Sequence, residues 1–74
     1  MMERERIGTK LREARKSLGY SQEYVAEKAG IGRGHIVRIE QGKYSVTIDT
    51  LSKILNVLGK EIDFPDKISR DEGM

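Results

Sequence analysis

The chain has 74 residues, of which 36% are hydrophobic and 35% charged, and its formal net charge is +2. The absence of cysteine excludes disulfides, thiolate catalysis and cysteine-ligated metals, and one histidine is too few for a histidine-rich metal site. No segment approaches the ~20 consecutive apolar residues of a membrane span. We therefore expect one small cytoplasmic domain that needs no cofactor.

The positive charge is concentrated in the first part of the chain. Residues 1–44 contain ten lysines and arginines against six acidic residues, a balance of +4, and residues 45–74 contain four against six, a balance of −2. A basic half indicates a nucleic-acid partner when it also contains a recognition motif. The alternative is that these charges only keep helix faces solvated.

The first predicted element is a helix of about four turns that follows a charged, frayed start at residues 1–6. Its apolar side chains recur at the spacing of one helix face: Ile7, Leu11, Ala14 and Leu18. Gly19 follows, and glycine commonly ends a helix because it adopts positive φ without strain. The pattern predicts that this face packs against the core.

Two short helices joined by a glycine turn are predicted next, between residues 22 and 42. Ser21 is a good N-cap for the first helix, and Gly30 is placed to end it. The second helix extends from Arg33 to Gln41, and Gly42 ends it in the same way. Helices this short with so tight a link favour a steep crossing, which is the helix-turn-helix geometry.

The outer face of the second short helix carries the candidate base contacts. Arg33 and Arg38 lie there, with His35 nearer its edge, whereas Ile36 and Ile39 form the opposite, apolar face. Two arginines on a short, fixed helix suit the major groove of DNA, where arginine binds guanine through two hydrogen bonds.

Candidate phosphate contacts flank the same helix. Gln22 lies in the first turn of the preceding helix, whose positive end attracts a phosphate. Lys43, Tyr44 and Ser45 belong to the loop after the second helix, and a lysine beside two hydroxyls suits the DNA backbone. The alternatives are a solvated first-turn glutamine and an ordinary polar loop.

Several residues of this region stand in a recognisable order and spacing: Ser21-Gln22, Val25-Ala26, Gly30-Ile31, Ile36, Ile39-Glu40 and Gly42. Together they resemble the Cro/CI-type helix-turn-helix regulators, also called the xenobiotic-response-element family. The resemblance extends from about Ile7 to Leu58 and implies sequence-specific binding to double-stranded DNA. Two positions depart from the family pattern: Gly32 replaces the usual Ser or Thr cap, and Gly34 stands where a base-reading side chain is common.

The resemblance also implies a pairing between Arg15 and Glu40. In the family, an arginine and a glutamate at these positions often pair and tie the first helix to the end of the recognition helix. A partly buried pair would cost more to break than a surface ion pair. The alternative is two unrelated surface charges.

The C-terminal part predicts a further helix and a short strand. Thr47 caps the helix, whose apolar face is wide: Ile48, Leu51, Ile54, Leu55 and Leu58. Residues 60–65 then alternate apolar and charged side chains, the period-two pattern of a strand, and Pro65 ends it. A lone strand needs a partner, which a second subunit would provide; the alternative is an extended tail packed on its own domain. The expected dimer contacts are Leu55, Leu58, Ile62 and Phe64.

We therefore predict an all-α, lambda-repressor-like helix-turn-helix domain of four to five helices with a short C-terminal strand. The domain spans residues 1–65 and includes the dimerisation segment. The mostly charged or small residues 66–74 are expected to be a disordered tail.

Two functions fit these observations. The first is a sequence-specific DNA-binding regulator, a repressor that acts as a homodimer on a near-palindromic operator. The alternative is an antitoxin whose main role is to bind a toxin or other partner protein, because the segment LGKEIDF resembles antitoxin-like members of the family. Catalysis is not expected, since His35 has no carboxylate at helical spacing and the GIGRG segment lacks the spacing of a nucleotide-binding glycine loop.

Overall fold

Four α-helices make up the part of the chain that the computed structural model describes, residues 2–43 and 45–63. They are α1 Glu3–Ser17, α2 Gln22–Ala29, α3 Arg33–Glu40 and α4 Ile48–Val57. No strand occurs in these residues, so the all-α prediction is confirmed. None of the four helices is long and apolar enough to cross a membrane.

The predicted C-terminal strand is absent from residues 60–63. A strand is defined by its hydrogen bonds to a neighbouring strand, and the described part of this single chain offers no such neighbour. Phe64 and Pro65, which complete the predicted strand, lie outside the described residues. The predicted tail, 66–74, and Tyr44 of the loop after α3 also lie outside them.

Side-chain and glycine caps set the ends of the short helices. Ser21 Oγ accepts a hydrogen bond from the Tyr24 N–H at 2.9 Å, and Thr47 caps α4 in the same way. Gly30 ends α2 in the left-handed conformation, with φ of 74°. Gly32 precedes α3 without a side-chain cap, as a glycine must. The predicted caps are confirmed, and they hold the turn between α2 and α3 to three residues, 30–32.

The core is built around the two short helices. α3 packs against both α1 and α2, and α4 packs against α2. The buried hydrophobic side chains are Leu11, Val25, Ala26, Ala29, Ile36, Ile39, Ile54 and Leu58. Because α2 and α3 both contribute to this core, the relative position of the two helices is fixed by packing and not only by the turn that joins them.

The face that α1 turns toward the core is largely the predicted one, since Ile7 and Ala14 pack against the core, but it differs at two points. Leu11 is buried, but Leu18 at the end of the helix is 46% exposed. Gly8 and Arg15 are buried instead. Positions 8, 11 and 15 are spaced by three and four residues and form one helix face. This face meets α3, and Arg15 forms an ion pair there that is described below.

Gly8 allows the backbones of α1 and α3 to approach closely. A Cβ built at position 8 would overlap the carbonyl oxygen of Ile39 and would lie 3.0 Å from the carbonyl oxygen of Glu40. Both atoms belong to the backbone and cannot rotate away as a side chain would. Only glycine fits at this crossing without a shift of one helix.

The first turn of α1 lies against the end of α3. The Met2 N–H donates to Glu5 Oε1 at 2.9 Å, and α1 begins at Glu3, the third residue of the chain. The sequence had predicted a frayed start here. Gly42 follows α3 with φ of 70°, and a Cβ there would lie 2.9 Å from the Cα of Glu5. Arg4 Nε donates to the Gly42 carbonyl at 3.2 Å. The loop after α3 is therefore held directly by α1.

Candidate nucleic-acid interface

The solvent-facing side of α3 carries the predicted base contacts. Arg33, Gly34 and Arg38 are exposed, and His35 is half-buried. On the opposite side of the helix, two isoleucines are each only 2% exposed. The apolar side anchors α3 to the domain, and the basic side is left available to a ligand.

The Arg38 side chain extends back along α3 toward Gly34. Its Nη1 lies 3.5 Å from the Gly34 carbonyl oxygen, the outer limit of a hydrogen bond. A Cβ at position 34 would lie 3.6 Å from the same nitrogen, which is ordinary van der Waals contact. Gly34 thus supplies no side chain to read a base. The Arg38 guanidinium is only weakly held where it stands.

A buried ion pair joins α1 to the last residue of α3. Arg15 Nε donates to Glu40 Oε2 at 2.7 Å, and Arg15 Nη2 donates to Glu40 Oε1 at 3.0 Å. The two side chains are 9% and 6% exposed. The remaining nitrogen of Arg15, Nη1, donates to the Tyr20 carbonyl at 2.7 Å. The structure therefore brings together the two residues whose pairing the family resemblance implied, in a two-hydrogen-bond geometry that fixes both side chains.

The ion pair contributes to stability over a wide pH range. The hydrogen bond to Glu40 is the main cause of a raised pKa of the Arg15 guanidinium. A pKa raised by folding adds stability that is complete below the ordinary pKa of the group and is lost only as the pH rises through the higher folded value. The Arg15 contribution is therefore expected to be fully present at every pH below the ordinary pKa of arginine and to fall only in strongly alkaline solution.

Gln22, a predicted phosphate contact, is linked to the same carboxylate. Its Nε2 donates to Glu40 Oε1 at 3.1 Å, and the side chain is half-buried. A glutamine amide has two N–H groups and a carbonyl oxygen, so one N–H and the oxygen remain for other partners. Gln22 and Arg33 line one open polar recess beside Ser21. The structure thus places the first residue of α2 and the first residue of α3 side by side.

The loop after α3 begins at a helix C-terminus that is capped by a backbone hydrogen bond. The Lys43 N–H donates to the Arg38 carbonyl at 3.0 Å, with Gly42 between them in the left-handed conformation. The side chains of Lys43 and Ser45 are exposed. Tyr44, the third predicted contact of this loop, lies outside the described residues. The backbone of Lys43 is therefore fixed by the C-terminal end of α3, and its side chain projects from that position.

The predicted dimer contacts do not form one exposed set. Leu58, the C-cap residue of α4, is 5% exposed and belongs to the core of its own chain, so it is a core residue rather than a dimer contact. Leu55 and Ile62 are half-buried. Ile48, at the start of α4, is 66% exposed. Phe64 lies outside the described residues.

Comparison with known families decides what kind of domain this is. The HTH_3 family, described as helix-turn-helix, matches residues 11–64, a span that includes α2, α3 and α4. The chain belongs to the HTH_3 helix-turn-helix family. The Cro/CI-type resemblance is thereby confirmed. This HTH_3 protein is a transcriptional regulator with a DNA-binding helix-turn-helix domain.

Individual relatives agree with the family. An uncharacterized HTH-type transcriptional regulator from Methanothermobacter thermautotrophicus is 42% identical over 53 residues, which cover 72% of the HTH_3 chain and 77% of that protein. The chain spans about half the length of some further relatives.

Solved structures show the same fold. The restriction-modification controller protein C.AhdI from Aeromonas hydrophila has a TM-score of 0.77 and 30% identity, over 80% of the HTH_3 chain and 89% of its own. SinR, a master regulator for biofilm formation solved in complex with DNA, has a TM-score of 0.71 and 34% identity, over 74% and 89%. These likenesses confirm the lambda-repressor-like fold.

Two residues that shape the site were not singled out from the sequence. Gly8 had a signal, since an isolated glycine inside a helical pattern often marks close packing. Arg4 had none, because its partner Gly42 is 38 residues away. Among the described residues, no group of three His, Cys, Asp or Glu side chains is placed to hold a metal ion.

Proposed function

We propose that the chain is a homodimeric repressor that binds a near-palindromic operator in double-stranded DNA through α3. The observation that carries this proposal is the exposure of Arg33 and Arg38 on a helix whose other side is buried in the core. A helix held in this way enters the major groove as a rigid unit, and arginine there binds guanine O6 and N7. The use of the same fold by SinR on DNA supports the proposal.

Contacts to phosphate would hold the recognition helix in register. Gln22 has one amide N–H without a partner in the described part of the chain, at the positive end of α2, and the exposed Lys43 and Ser45 follow α3, with Tyr44 between them in sequence. His35 would lie at the edge of the groove. These residues position α3, and the two arginines provide the preference for sequence.

Repression follows from where such a protein binds. A dimer on an operator would exclude RNA polymerase from the same DNA, a step that rests on analogy with the family. The relative and the structures named above are regulators, and no observation favours the antitoxin alternative.

A dimer is proposed because one short helix reads too few base pairs. A single reading helix does not select a site among ~10⁶ or more competing sequences, whereas two helices related by a twofold axis double the site. Ile48 is 66% exposed at the start of α4, and Leu55 and Ile62 are half-buried. These apolar side chains are the proposed surface for the second subunit, together with Phe64.

Arg38→Ala should weaken binding to the operator by about 1–3 kcal/mol and relax the preference at one position of each half-site. The reason is the loss of a two-hydrogen-bond contact to a base. Fluorescence anisotropy on the operator and on a mixed-sequence duplex measures the two affinities. Arg12→Ala, an exposed arginine on α1, is the matched control for loss of one charge. Equal losses on both duplexes would show that Arg38 contacts only phosphate.

Ile62→Asp should weaken both dimerisation and DNA binding while the helices remain folded, because it buries a charge where the subunits would meet. Sedimentation equilibrium at roughly tens of micromolar, where a dimer with a Kd near 10⁻⁶ M persists, measures the first effect. Ser52→Asp adds the same charge to an exposed position of α4 and serves as the control. A monomeric wild type, with Ile62→Asp binding the operator normally, would contradict the proposed dimer surface.

A further inference from the structure

Arg4 is a cation beside the proposed DNA-binding loop that has no assigned role. Its Nε donates to the Gly42 carbonyl at 3.2 Å, and the side chain is half-buried. Gly42 directly precedes Lys43, the proposed phosphate contact. The left-handed conformation of Gly42 and its close contact with Glu5 leave the loop little freedom relative to α1. Arg4 is therefore held at the segment that would meet the DNA backbone.

Most of the hydrogen-bonding capacity of Arg4 is unused. A guanidinium has five N–H donors, and the contact with Gly42 uses the one at Nε. Among the described residues, Nη1 and Nη2 have no protein partner. The two acidic side chains of the first turn are engaged elsewhere: Glu3 Oε1 binds Arg6 Nη2 at 2.8 Å, and Glu5 Oε1 accepts from the Met2 N–H. Within residues 2–43 and 45–63, the charge of Arg4 is thus not neutralised by a carboxylate.

We propose that Arg4 binds a DNA phosphate through Nη1 and Nη2, beside Lys43, while its Nε keeps the loop in place. This inference rests on the proposed function, since it concerns the same protein–DNA surface. Arginine suits both tasks because its planar fork can bind a phosphate through two parallel hydrogen bonds while the third nitrogen serves another acceptor. The DNA backbone would then be held from α1 as well as from the loop after α3.

The competing explanation is that Arg4 only fastens the loop. Affinity alone does not separate the two, because a displaced Lys43 would also weaken binding. The salt dependence of binding does separate them, since each phosphate contact made by a cation releases counterions and makes the negative slope of log K against log salt concentration steeper by about 0.9. If Arg4 only fastens the loop, Arg4→Ala should not change the slope any further once Lys43 has been replaced by alanine.

The test measures this slope on a mixed-sequence DNA duplex for the wild type, Arg4→Ala, Lys43→Ala and the double variant. We expect each single substitution to make the negative slope shallower by about 0.9 per subunit. The double variant should make it shallower by about 1.8 per subunit. Arg4→Lys should retain most of the slope because it keeps the charge. Arg6→Ala is the matched control: it removes one charge from the same helix turn, from a side chain paired with Glu3, and should leave the slope unchanged.

Three outcomes would overturn the inference. The first is an unchanged slope in Arg4→Ala, and the second is a double variant with the same slope as Lys43→Ala, which would leave Arg4 only a fastening role. With either of these two outcomes, a steep salt dependence of the wild type would still support DNA binding, so the proposed function would not be overturned. The third is a wild type that binds DNA with no salt dependence, which would remove the proposed function as well. Circular dichroism of each variant checks that the helices are intact before its slope is used.

Discussion

Glu40→Ala should lower the free energy of unfolding by about 3–5 kcal/mol, because it leaves the Arg15 guanidinium buried without its carboxylate. The Glu40 side chain is 6% exposed and accepts two hydrogen bonds from Arg15 and one from Gln22. A domain of this length has a total stability on the order of 4–11 kcal/mol, so the variant should be close to unfolding at room temperature. Urea denaturation followed by circular dichroism measures the loss.

Two further variants isolate the cause of that loss. Glu3→Ala breaks the ion pair with Arg6, whose side chains are 72% and 53% exposed, and should leave the denaturation midpoint nearly unchanged. Combining Arg15→Met with Glu40→Leu should restore much of the stability, because no buried charge is then left without a partner. A Glu40→Ala variant as stable as Glu3→Ala would contradict the buried ion pair.

Gly8→Ala should lower the free energy of unfolding by about 2–3 kcal/mol, although alanine is the better helix former by about 1 kcal/mol. The added methyl group meets the carbonyl oxygens of Ile39 and Glu40, so α1 and α3 must separate. Separation would also move Arg15 away from Glu40. Thermal and urea denaturation should therefore both show the loss.

Gly34→Ala makes the same chemical change on the exposed side of α3 and should have the opposite sign. Among the residues that the structure describes, its Cβ would meet only Arg38 Nη1, at 3.6 Å, so the gain in helix propensity of about 0.5–1 kcal/mol should appear as increased stability. If Gly8→Ala were as stabilising as Gly34→Ala, the close crossing of α1 and α3 would be wrong.

The helix-turn-helix could be predicted from the sequence because its signals are local. Ser21 caps a helix through a hydrogen bond three residues away, and Gly30 and Gly42 adopt positive φ at helix ends. The apolar positions of α2 and α3 recur at helical spacing within a few residues. Each of these signals depends on short-range stereochemistry, which the sequence alone specifies.

The contacts that hold α3 in place depend on residues far apart in the chain. Arg15 and Glu40 are 25 residues apart, and only the family resemblance implied their pairing. The sequence wrongly predicted that Leu18 would be buried, whereas Arg15 is buried and Leu18 is exposed. An apolar pattern does not show that a charged residue with a buried partner will take a place in the core. Position-by-position periodicity contains no information about such a partner.

The C-terminal part was the least predictable from the sequence. Part of the wide apolar face of α4 packs into the core of its own chain and is not available to a partner. Periodicity does not show which of its leucines are buried in that core. Leu58 is one of them, with 5% of its surface exposed. The strand pattern of residues 60–63 has no strand beside it in the described part of the chain, so the pattern alone produced no strand.

Selection of bound duplexes from a random pool, at two salt concentrations, tests directly whether the chain is a sequence-specific, dimeric DNA-binding protein. We expect one enriched, near-palindromic sequence at both concentrations, with half-sites centred about 10 base pairs, or ~34 Å, apart. Each half-site should contain a guanine whose enrichment is lost with Arg38→Ala. A pool that binds at low salt without enrichment of any sequence, or enrichment of a single half-site, would contradict it.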